Sequence, residues 1–304
     1  MSRKPTRPLQ TRPPAAPAEP PPIVSGRWLF AALLLTILAA VLCGYCTLGL
    51  LFYQGQWQLL FHPSRTLSDT PLRHGVPFDN IELSVPGSSH QHLNAWWMPA
   101  ASASPYATDT VLYLHDARGS LSGTVPALLT LHHLGINVLA FDYRGFGLSD
   151  GRHPTERLAT ADSIAVWTWL TDTRHIPPGR IVIDGDGVGT VFAVDLAARF
   201  APAGVVLEDP APTARHIFST DARARILPLW LLQNEFLDPA PRLARIHAPL
   251  LFLDRAGDPS RTRALYSAAP YPKQIFDLRN ASSATGSEVL RRFFDQVLPG
   301  PATG

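Results

Sequence analysis

The stretch Ile181-Val182-Ile183-Asp184-Gly185-Asp186-Gly187-Val188-Gly189-Thr190 decides the fold. A short β-type run ends in glycines at alternate positions, and a helix-like segment follows over about 188 to 200. Such a pattern marks a strand that turns sharply into a helix. Working outward, the chain alternates. β-type runs lie at about 79–84 and 93–98, then at Val111–Asp116, Asn137–Tyr143, Arg180–Gly185, Gly204–Asp209, Pro249–Asp254 and Gln274–Leu278. Helix-like segments lie at about 122–134, 156–173, 188–200 and 285–297. The central runs are continuously apolar, as parallel strands covered on both faces require. The expectation is therefore an α/β domain, with a mostly parallel sheet, right-handed crossovers and flanking helices. Residues 210–247, containing Pro228 and Leu229 to Leu232, interrupt the alternation and read as a short helical cap.

The chain has 304 residues, 46% of them hydrophobic and 16% charged, enough for one substantial core. A net charge of +2 without a basic stripe in the body excludes a nucleic-acid partner. Both cysteines, Cys43 and Cys46, fall in the most apolar segment, so the body has no disulfide framework and no cysteine metal pattern. They read as small buried hydrophobes.

Residues 1–26 are rich in Pro and Ala with scattered Arg, a composition that builds no packed core and reads as a disordered tail. From Trp28 to Tyr53 no residue is charged, and at about 1.5 Å per residue the run exceeds the roughly 30 Å of hydrocarbon in a bilayer. Residues 27–53 are thus expected to form one transmembrane helix, with Trp28 and Tyr53 as interfacial aromatic ends. A cleaved signal peptide would have a shorter apolar region and an Ala-x-Ala site after it. Arg3, Lys4, Arg7, Arg12 and Arg27 precede the helix, which places the N-terminus in the cytoplasm and the globular part outside the cell membrane. Residues 54–77 read as a membrane-proximal linker and 78–298 as the globular domain.

Several motifs share one resemblance. FDYRGFGLSDGR (Phe141–Arg152), the WTWL helix that follows, IVIDGDGVGT (Ile181–Thr190), LYSAAPYPK (Leu265–Lys273) and LLFHPSR (Leu59–Arg65) resemble the α/β-hydrolase superfamily. More narrowly they are similar to its membrane-anchored branch of serine-peptidase-like proteins, acyl-protein thioesterases and lysophospholipid or monoacylglycerol lipases. The resemblance covers about residues 56–298.

It implies a catalytic constellation that this sequence does not complete. The nucleophile position of the G-x-S-x-G elbow is Gly187, which has no side chain with which to attack. The acid position after the seventh strand is Asp258, for which a local capping role is expected. The histidine position falls in Arg279–Ala284, at Asn280, and the last histidine of the chain is His247. In the oxyanion loop, His115-Asp116-Ala117-Arg118-Gly119, a carboxylate at Asp116 would oppose a developing oxyanion. The expectation is a pseudoenzyme that uses no cofactor and binds a protein or an acyl-type ligand in a remnant pocket. The competing reading is a hydrolase of esters, thioesters or peptides that uses Asp186, His153 or His216 instead. Asp116, Asp186, Asp254 and Asp258 should share the carboxyl edge of the sheet, but they lack the spacing of a metal loop and are read as caps.

Overall fold

Strand and helix alternate along the chain as the apolar runs demand. The computed structural model describes residues 24–85 and 90–300, so the expected tail lies, up to residue 23, outside the described residues. The chain divides into two units, Met1–Leu48 and Gly49–Gly304. Most of one long helix, α1 (Gly26–Leu60), belongs to the first unit, and its last turns belong to the second.

In the second unit the strands are β1 (His62–Pro63), β2 (Asp79–Ser84), β3 (His92–Met98), β4 (Thr110–Leu114), β5 (Arg118–Gly119), β6 (Asn137–Phe141), β7 (Ile181–Asp186), β8 (Gly204–Glu208), β9 (Leu250–Asp254) and β10 (Lys273–Asp277). The helices are α2 (Leu121–His133), α3 (Glu156–Thr168), α4 (Gly189–Arg199), α5 (Ala214–Ser219), α6 (Leu229–Leu232), α7 (Ala240–Leu243), α8 (Pro259–Ala268) and α9 (Ser283–Val297).

Eight strands form one sheet in the order β10-β9-β8-β7-β4-β6-β3-β2. Pairing is parallel except where β3 joins β2 and β6. Strands β4 and β6 to β9 are buried along nearly their whole length, which accounts for their unbroken apolar runs. On one face, Leu121, Val125 and Leu128 of α2 and Phe293 and Phe294 of α9 join Val182 and Val206 in a single core. Each such side chain contributes about 1.5–3 kcal/mol on leaving water. Helix α4 covers the other face, against β7 and β8.

The FDYRGFGLSDGR motif is explained by packing. Arg144 forms a largely buried ion pair with Asp162 of α3, Nε to Oδ1 at 2.6 Å. Ser149 Oγ donates to the carbonyl of Asp142 and accepts from Asn94 N at 2.9 Å. Gly147 has φ +45°, and a β-carbon there would meet Asp142 Oδ2 at 1.9 Å. The HPSR motif reaches the same loop, since Arg65 Nη1 donates to the carbonyl of Ser149 at 2.6 Å.

Several elements differ from the sequence reading. The helix expected to end at residue 53 continues to Leu60, because Phe52, Gln56 and Leu60 are buried within the second unit. The segment 54–77 is therefore not a bare linker, as it holds the last turns of α1, strand β1 and a 3₁₀ turn at Pro71–His74. Helix α8 was not expected, although Asp258 as its cap and Pro259 at its first position are recognised start signals.

Candidate functional site

The turn from β7 into α4 has the geometry that its glycines imply. Gly187 adopts φ +56°. A β-carbon on Gly185 would lie 2.6 Å from the carbonyl oxygen of Gly189, and one on Gly189 would lie 1.9 Å from that of Leu114. Only glycine at these places lets the helix start so close to the sheet. The Gly187 carbonyl accepts from Thr190 Oγ1 at 2.7 Å, which braces the turn.

The loop after β4 brings Asp116 onto this turn. Asp116 Oδ1 accepts a hydrogen bond from Val188 N at 2.9 Å. A β-carbon on Gly187 would lie 2.1 Å from that same oxygen and 2.4 Å from Cγ. The carboxylate thus fills the space of a side chain at the elbow and takes up the backbone donor that follows it. Its loop is fixed from two directions. His115 is fully buried; burial pushes its pKa below the usual value, and its Nδ1 lies 2.6 Å from the Asp116 carbonyl. Strand β1 pairs with β5, so that His62 N donates to the carbonyl of Ala117 at 2.7 Å. The chain leaving α1 therefore braces the loop that carries Asp116.

A cavity of about 650 Å³ opens beside Gly187, with Leu60, Asp116, Asp186, Asp258 and Arg261 on its walls. The candidate residues do not all gather there. Asp258 lines it, but its Oδ1 accepts from Ser260 N at 3.0 Å and from Ser260 Oγ at 2.7 Å, capping α8. These bonds hold its carboxyl below the usual range. Asn280 is exposed in the turn between β10 and α9, outside this cavity. His153, an alternative residue of the competing hydrolase reading, is stacked on Trp57 with ring centroids 5.0 Å apart, beside a separate cavity of about 400 Å³. His216 is exposed on α5. Of the four carboxylates read as one edge cluster, Asp116, Asp186 and Asp258 share the cavity, whereas Asp254 is buried 3.6 Å from Arg279. Among the described residues, no group of three or more His, Cys, Asp or Glu side chains could hold a metal ion.

Four polar residues of this edge escaped the sequence reading: Asp184, Glu208, Asp209 and Arg255. With Tyr113 and Asp186 they line a third cavity, of about 310 Å³, on the α2 and α9 side of the sheet. The signal was available, since Asp184 interrupts an apolar run at a position where the strand period of two points it into the core. Burial raises its carboxyl well above the ordinary range. Asp186 is pushed up to about 7 by burial first, then by Glu208 and Asp116. Arg255 pairs with Glu208 through two bonds of 2.8 and 3.1 Å. Asp209 accepts from the backbone N–H groups of Arg255, Ala256 and Gly257, which shapes the loop before Asp258.

No protein-family profile matches the chain. An uncharacterized protein of Mycobacterium tuberculosis (strain ATCC 25618 / H37Rv) is 30% identical over 223 residues, covering 72% of this chain and 77% of that protein. The human alpha/beta hydrolase domain-containing protein 17B is 34% identical over 121 residues, 40% of this chain and 42% of its own length. Among solved structures, an esterase of Pyrococcus furiosus superposes with a TM-score of 0.61 at 18% identity, over 78% of this chain and 97% of the esterase.

Proposed function

We propose that the chain, whose fold is that of the α/β hydrolases, is a membrane-tethered member of that superfamily that binds or scaffolds and does not hydrolyse. One observation carries the reading: the Asp116 carboxylate, bonded to Val188 N, lies where a nucleophile's side chain would stand. In acyl transfer that amide would stabilise the oxyanion, a contribution of about 2.7–4 kcal/mol per donor. A carboxylate bound there competes with the oxyanion and repels it. Gly187 supplies no nucleophile, and among the described residues His62 is the one histidine on the cavity wall. The cavity's apolar wall of Leu59, Leu60 and Ile217 suits an acyl chain or an apolar side chain of a partner protein.

The tether is α1, 35 residues long, whose most apolar 18-residue window has a mean hydropathy of 2.5, enough in length and composition to cross a bilayer. With the basic residues ahead of it, the tail is cytoplasmic and the globular unit outside. Protease added to intact cells should digest the globular unit, and protection of that unit would overturn the orientation.

The catalytic part is tested on the full chain in detergent, with a fluorophosphonate probe, p-nitrophenyl esters and acyl thioesters, beside an active esterase. The expected outcome is neither labelling nor turnover. Turnover that disappears in Asp186→Asn or Asp258→Ala would overturn the reading.

A further inference from the structure

The segment between β8 and β9 wraps the last turns of α1. Phe52 is 1% exposed and meets Phe218 edge-on, ring centroids 5.5 Å apart. Gln56, also 1% exposed, donates to the carbonyl of Leu232 at 2.6 Å and accepts from Asn234 N at 3.1 Å. A β-carbon on Gly49 would lie 3.6 Å from Leu232 Cδ1 and 3.9 Å from Leu227 Cδ2. Helix α6 is therefore held against α1 between residues 49 and 56, a span of about 10 Å along the axis.

The side chains that this segment turns outward are not those of a water-facing loop. Trp230 is 86% exposed, Leu231 64%, Ile226 60% and Phe236 58%. Large apolar groups gathered in this way mark a docking surface. Their level on α1 identifies the occupant, because Gly49 to Tyr53 close the apolar run that begins at Trp28, and Gln54, Gln56 and Gln58 follow it. Where that run crosses a bilayer, α6 stands at the boundary between headgroups and acyl chains. Tryptophan is favoured there, with its ring in an apolar layer and its N–H wet. Arg215, Arg223 and Arg225, against Asp221, add a cationic flank that suits anionic headgroups.

We propose that Ile226, Trp230, Leu231 and Phe236 enter the interface of the bilayer that α1 spans, making the cap a second membrane contact. The globular unit is then seated on the membrane, and the cavity beside Gly187, which shares Leu60 and Ile217 with these elements, lies close to lipid. This inference rests on the membrane-tethered reading.

The test uses the full chain with Cys43→Ser and Cys46→Ser, reconstituted in nanodiscs of mixed phosphatidylcholine and phosphatidylglycerol. A spin label is placed in turn at Trp230→Cys, Leu231→Cys, Leu38→Cys within the span, and His133→Cys on α2. Collision with oxygen, which enters lipid, is compared with collision with a nickel chelate, which does not. The labels at 230 and 231 should be several-fold less open to nickel than the label at 133, with oxygen access approaching that at 38. If 38 is lipid-exposed but 230 and 231 meet nickel as freely as 133, the cap contact is refuted and the tether stands. Shielding of 230 and 231 from both reagents would mean that a second protein copy covers the face, which also refutes it. Free nickel access at 38 would overturn the tethered reading itself.

Discussion

Replacing Gly187 with serine restores the G-x-S-x-G spelling of the elbow, yet the structure predicts a less stable protein and no gain of esterase activity. A side chain held at φ +56° costs on the order of 1 kcal/mol or more. The new β-carbon would also lie 2.1 Å from Asp116 Oδ1, so the carboxylate must leave its place. In leaving it gives up the bond to Val188 N, and a hydrogen bond to a charged group contributes about 1.5–3 kcal/mol. Together these effects predict a loss of about 2–4 kcal/mol, which for a domain of this size lowers Tm by roughly 5–15 °C. Thermal and urea unfolding of the full chain in detergent micelles measure it. The decisive comparison is the same substitution in an Asp116→Ala background. There the collision is gone, and only the backbone cost of about 1 kcal/mol should remain. If Gly187→Ser costs as much with Asp116→Ala as without it, Asp116 does not occupy the elbow and the reasoning fails. Neither variant should hydrolyse esters, because a serine hydroxyl without a positioned base is a weak nucleophile.

The pKa of Asp186, raised to about 7 in the fold, lies above the carboxylate value of 3.8, so the folded state holds the proton more tightly than the unfolded chain. The stability it contributes is present below pH 4 and lost as pH rises to 7; Asp186→Asn should therefore match wild type near pH 4 and exceed its Tm at pH 8. Equal pH slopes for the two proteins would contradict this. Gln56→Ala removes its hydrogen bonds to the carbonyl of half-buried Leu232 and the N–H of exposed Asn234, at about 0.5–1.5 kcal/mol each. It should speed tryptic cleavage after Arg223 and Arg225, as gel bands will show. Arg144→Ala leaves the Asp162 carboxylate buried without its partner and should destabilise the domain by about 3–5 kcal/mol, read from urea midpoints.

That Gly187 and Asn280 stand at the nucleophile and histidine positions that the resemblance implies is visible as spelling, because each is a residue type at a motif position. What replaces the chemistry is not visible in this way. Asp116 and Gly187 are 71 positions apart, and their mutual exclusion exists only once β4 and β7 lie side by side with Leu114 opposite Gly185. The polar cavity under the sheet likewise needs Tyr113 and Val206 to flank Asp184 across two strand pairs. His153 illustrates the opposite failure: it was a candidate base by residue type and loop position, yet it stacks on Trp57 and lines a different cavity from Gly187.

By itself the sequence determined what depends on local pattern. The period of apolar residues dictated strands and helices, the alternation of the two dictated a parallel sheet, and the uncharged run dictated one helix long enough to span a membrane. Glycine at alternate positions dictated the elbow, since no other residue takes that backbone at so little cost. Tertiary structure alone decided that α1 runs on to Leu60, because Gln56 finds its partners at Leu232 and Asn234 only after the cap has folded over it. It also decided that Asp116 fills the space left by the missing side chain at Gly187. A carboxylate's role is set by the donors and the void that distant segments bring to it, and those distances are not written in any local stretch of chain.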